Sequence, residues 1–111
     1  MPFNRKLVAN ALLKLAKAVQ AAPVLKYGPR RADNWTKGTA VLNGKIYQFE
    51  IKHFDEPSDY GINGGRISKL WIAPEGGNFR DTLANYDRGW DVRPMNADAK
   101  AVYKAILDKF N

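Results

Sequence analysis

The sequence predicts an α+β fold, and three observations carry that expectation. Apolar residues recur at helical spacing near both ends of the chain, and Asn43-Gly44 sits between two runs that alternate apolar with polar residues. Glycines and prolines punctuate the remainder. The predicted architecture is an antiparallel three- to four-stranded meander flanked by an N-terminal and a C-terminal helix, in the order α-β-β-β-(β)-α. At 111 residues, a single domain over 1–111 is expected.

The first 22 residues read as a basic amphipathic helix. Asn4 is placed to cap it, and Val8, Leu12, Leu15 and Val19 form an apolar stripe opposite Asn10, Lys14, Lys17 and Gln20. Pro23 ends the pattern, because the residue before a proline avoids the helical region. Residues 23–34, with Pro23, Gly28 and Pro29, are expected to form a linker. The sheet is expected over 35–93. Thr36–Leu42 and Lys45–Phe54 flank the Asn43-Gly44 turn, and Tyr47, Phe49 and Ile51 alternate with Gln48, Glu50 and Lys52, so that one face is buried. After a polar loop over 55–65, Arg66–Ala73 forms a third strand, apolar on both faces and therefore central or doubly covered. A glycine-containing loop over 74–85 leads to a short fourth strand, Tyr86–Arg93, and Trp71 and Trp90 are expected in the core. Pro94 and Asn96 then announce a helix over 97–110, within 95–111, that buries Ala99, Val102, Tyr103, Ile106 and Phe110.

Charge is distributed unevenly. The net charge is +7, yet residues 1–32 hold seven cations and no acid, and from Asp33 onward 11 basic residues balance 11 acidic ones. Such a segment attracts phosphate backbones, anionic headgroups or an acidic protein face. Lys14, Lys17, Lys26, Arg30 and Arg31 are the candidate partner-binding surface. The segment lacks serine, and Lys14 and Lys17 interrupt any apolar stretch, so it reads as part of the mature protein rather than as a targeting signal.

Composition narrows the chemistry. There is no cysteine and one histidine, so thiolate metal sites, cysteine nucleophiles and His-rich metal sites are excluded. No cofactor or metal is expected, and no apolar run reaches the ~20 residues of a membrane span. Glu50-Ile51-Lys52 matches half of a metal-dependent nuclease signature, but the neighbouring strand carries no further carboxylate; a cross-strand charge pair explains it. Asp55, Glu56 and Asp59 lack the register of a calcium loop. Gly61-Ile62-Asn63-Gly64-Gly65-Arg66 precedes a strand rather than a helix, so it reads as a tight loop and not a phosphate cradle. His53, without a nucleophile nearby, reads as a half-buried structural residue. No catalytic residue is assigned.

Aromatic and basic residues interleave at Trp35/Lys37, Lys69/Trp71 and Arg88/Trp90/Arg93, as in single-strand nucleic-acid binders, with Trp35 and Tyr60 the better exposed candidates. The α-β-β-β-α order resembles that of double-stranded-RNA-binding domains, but Asn96-Ala97-Asp98-Ala99-Lys100 lacks their lysine cluster.

The run from Phe54 to Ile72, containing Tyr60-Gly61-Ile62-Asn63-Gly64-Gly65-Arg66-Ile67-Ser68-Lys69-Leu70-Trp71-Ile72, and the run Asn85-Tyr86-Asp87-Arg88-Gly89-Trp90-Asp91 together resemble a family of small uncharacterised proteins encoded by phages and prophages. The resemblance covers about residues 35–93. It implies a non-enzymatic accessory protein that acts in the cytoplasm of a bacterial host by binding and modulating a host protein or nucleoprotein complex. The alternative is direct nucleic-acid binding through the basic N-terminal third. Asp55, Tyr60, Arg66, Tyr86, Asp87, Arg88 and Asp91 are expected to form a network joining two loops, with Arg66 or Arg88 holding an aspartate.

Overall fold

The structure, a computed structural model, describes residues 22–111. Strands β1 (Val24–Tyr27), β2 (Trp35–Leu42), β3 (Lys45–His53), β4 (Ile67–Pro74), β5 (Ala84–Asp87) and β6 (Trp90–Val92) form one sheet in sequence order, and helix α1 spans Ala97–Phe110. Every neighbouring pair is antiparallel.

This corrects the expected architecture. The meander has six strands rather than three or four, and one helix, the C-terminal one, packs on it among the described residues. The helix expected over residues 4–21 lies outside the described residues. One additional strand comes from the expected linker: Val24–Tyr27 pairs with β2, from Val24 opposite Val41 to Tyr27 opposite Gly38. Pro23 and Pro29 bracket this strand, and an edge position tolerates such neighbours. The other comes from Tyr86–Arg93, which is a hairpin rather than one strand. Arg88 adopts φ 58° at its turn, and the Asp87 amide donates to the Gly89 carbonyl at 2.8 Å.

The remaining elements follow their sequence signals closely. Asn43 and Gly44 turn the β2–β3 hairpin at φ 52° and 77°, the pair of positive values that matches strand twist. The Asn96 side chain accepts from the Ala99 amide at 2.8 Å and caps α1. Ala99, Val102 and Ile106 of the helix are buried against Ala40, Phe49, Ile51, Leu70, Ile72 and Tyr86, and Tyr103 and Phe110 pack at the margin. Each fully buried Phe, Leu, Ile or Val side chain contributes about 1.5–3 kcal/mol. The helix thus occupies one face of the sheet, and strand alternation sends every second side chain to the other.

Candidate functional site

That other face carries a mixed surface whose rows follow from strand register. One row runs Lys37–Glu50–Trp71–Asn85 across β2 to β5, and the next runs Trp35–Lys52–Lys69–Asp87. Trp35, Trp71 and Phe79 line a groove of about 380 Å3 together with Glu50 and Lys69. The Trp71 indole N–H donates to Thr82 Oγ1 at 2.8 Å, and that hydroxyl donates to the Phe79 carbonyl at 2.6 Å. A capping box between Asn78 and Asp81 fixes the same turn. Phe79 is therefore held at the groove while 71% exposed.

A second hollow of about 430 Å3 adjoins it, lined by Lys52, Phe54, Tyr60, Ser68 and Arg88, and Lys69 borders both. Lys52 Nζ lies 5.9 Å from the Phe54 ring centroid. Two of the three carboxylates lining these hollows are neutralised locally, and the third, Glu56, has no cationic partner among the described residues. Glu50 pairs with Lys37 at 3.1 Å, and Asp87 with Lys69 at 3.6 Å and Arg88 at 3.2 Å.

Of the basic residues singled out in the sequence, Lys14 and Lys17 lie outside the described residues. Lys26 is exposed on β1, opposite Thr39. Arg30 binds Asp55 at 2.7 Å and also donates to the His53 carbonyl; Arg31 pairs with Asp33 at 3.3 Å. These two arginines thus brace the β1–β2 connection. The two loops do meet, through the Tyr86 hydroxyl donating to the Tyr60 carbonyl at 2.8 Å, while Tyr60 stays 65% exposed. Arg88 holds Asp87, but Asp55 is taken by Arg30 and not by Arg66, which has no carboxylate partner among the described residues. Asp91 accepts from Asn85 Nδ2 at 3.3 Å. Of the seven residues, Tyr60 with Tyr86 and Asp87 with Arg88 form two separate pairs, Asp55 and Asp91 bind residues outside the set, and the seven do not form one network.

The glycine loop is filled by the protein itself. The amides of Gly61, Gly64 and Gly65 donate to the Ser58, Gly61 and Ile62 carbonyls. Asn111 reaches in to donate to the Ile62 carbonyl and accept from the Ile67 amide, both at 3.0 Å. A Cβ on Gly65 would collide with the Asn111 side chain, and one on Gly61 with the Gly65 backbone. His53 is half-buried, 2.8 Å from Thr36 Oγ1, and burial together with the Arg30 charge lowers its pKa, opposed by Asp55. Glu50 and Lys52 do not pair with each other: Glu50 takes Lys37, and Lys52 stands opposite Lys69. No three His, Asp or Glu side chains converge as a metal site among the described residues, and no helix among them is long and apolar enough to cross a membrane.

Sequence reasoning missed Trp71, Phe79 and Asn85. For Trp71 the signal was present: Lys69 and Trp71 alternate with Leu70 and Ile72, and only the latter two are buried against α1. Trp90 does lie on the helix side, with ring centroids 5.1 Å from Tyr86 and 5.3 Å from Tyr103.

No curated protein and no solved structure matches the chain. A family model described as Domain of unknown function (DUF7678) matches residues 34–111, which takes in β2 to β6, α1 and both hollows. The chain belongs to that family.

Proposed function

We propose that this is a non-enzymatic phage accessory protein that binds a host macromolecule in the cytoplasm of a bacterial cell, and that its contact surface is the sheet face opposite α1. The observation that carries this reading is the placement of Trp35, Trp71 and Phe79 around one groove on the face that α1 leaves uncovered. Aromatic side chains bury large areas at low entropic cost and dominate interface energetics, whereas a face built only to be wet needs none of them. In the basic N-terminal third, the other candidate contact surface, Arg30 and Arg31 pair with Asp55 and Asp33.

Position-specific photo-cross-linking in bacterial cells tests the reading. A cross-linking residue replacing Phe79 is expected to give macromolecular adducts, and one replacing Lys104, exposed on α1, is expected to give none. Adducts from position 104 alone, or from neither position, contradict it.

A further inference from the structure

We infer that the open face takes single-stranded nucleic acid, its bases stacking on Trp35, Trp71 and Phe79 while Lys52, Lys69 and Arg88 meet the phosphates; this rests on the reading of that face as the contact surface. Trp35 on β2 and Trp71 on β4 are two strands apart and offset by two residues in register, hence roughly 12 Å between their backbones. That separation gives two splayed-out bases an indole each. Base–aromatic stacking is indifferent to sequence and demands that the bases be unpaired, which a duplex does not offer.

The cations lie where a backbone would run. Lys69 borders both hollows and makes them one track, which passes from the indole groove to Lys52 and Arg88. Glu50 and Asp87 on this track are paired with lysine or arginine, while Glu56, exposed beside the second hollow, has no cationic partner among the described residues and is the one carboxylate a phosphate backbone must avoid. Lys52 has no carboxylate partner among the described residues. Lysine is depleted from protein–protein contact surfaces, so Lys52 and Lys69 set among three aromatic rings fit a phosphate polymer better than a protein face. Ser68 and Asn85 add hydrogen-bonding groups beside the two hollows.

The test is fluorescence anisotropy of the full chain with a labelled oligothymidylate of about 20 nucleotides, longer than the ~4–16 nucleotides that a sheet-based single-strand site occupies. Expected are binding at low salt, weaker binding to a duplex of equal length, and a log–log salt slope near −2, from about 0.7 per phosphate over three cations. Trp35→Ala and Trp71→Ala should each weaken binding by at least about fivefold. Because Trp71 also bonds to Thr82, Phe79→Ala provides a variant at a 71% exposed position, with an unchanged melting curve and weaker binding expected. Absence of binding at low salt overturns the inference. So does binding that all three variants retain in full and that Lys14→Glu with Lys17→Glu abolishes. Protein-only adducts at position 79 in the cross-linking experiment also overturn it while leaving the contact surface standing; no adducts there remove the surface itself.

Discussion

The two faces of the sheet are built on different principles. On the side of α1, apolar side chains close over one another and the few polar groups are paired internally: Thr36 with His53, and the Tyr47 hydroxyl with Asp98. On the other side, aromatic rings stand among lysines and carboxylates, and the ion pairs there are solvent-exposed, a kind that contributes only about 0–1 kcal/mol each. Stability is therefore concentrated on one face. The side chains of the other are released from the core and available for contact, and substitutions should separate the two.

The largest effect is expected from Phe49→Ala, which empties the centre of the covered face and should cost about 3–5 kcal/mol in a urea titration. Gly65→Ala follows. It pushes Asn111 out of its seat in the loop beneath β4, with a loss of about 1–3 kcal/mol. Tyr47→Phe removes the hydroxyl that Asp98 accepts from, costing about 1 kcal/mol. In the wild type, burial first and then Asp98 push the Tyr47 hydroxyl up to about 12, and burial also raises Tyr103, so ultraviolet titration should show a component near 12 that Tyr47→Phe removes. Because the raised value favours the neutral form in the folded state, this contribution is complete below pH 10 and is lost as pH rises through about 12.

His53 gives a smaller effect of opposite sense. Its pKa is lowered from 6.5 in the folded protein, so folding favours the uncharged ring; the contribution is complete above 6.5 and is lost as pH falls through the folded value. His53→Gln should flatten the decline in urea midpoint below pH 6.5, and an unchanged decline would show that the ring is not coupled to folding. The smallest effect belongs to the open face: Phe79→Ala should shift stability by no more than about 0.5 kcal/mol. A large loss there would mean that the open face is also part of the core.

Much of this division was legible in the sequence, and the gaps have physical causes. The alternation of Tyr47, Phe49 and Ile51 with Gln48, Glu50 and Lys52, the Asn43-Gly44 turn and the Asn96 cap place β2, β3 and α1 almost to the residue. β1 was hidden because four residues between two prolines give too short a pattern to register, and pairing with β2 decides it. The β5–β6 hairpin was hidden because its turn puts an arginine, Arg88, at positive φ rather than an asparagine or glycine. The apolar neighbours of Trp71 suggest a core position, whereas strict alternation with Leu70 and Ile72 directs it outward. The pairing of Arg30 with Asp55, 25 residues apart, has no local signal at all.

The three tryptophans supply the most direct measurement, since Trp35 and Trp71 lie on the open face and Trp90 lies under α1. Their indole N–H resonances, followed in a 15N-labelled sample during titration with a single-stranded oligonucleotide, report on both faces at once. The account predicts that the Trp35 and Trp71 signals move together and saturate while Trp90 stays in place. Movement of Trp90 alone, or three stationary indoles at saturating oligonucleotide, would contradict it.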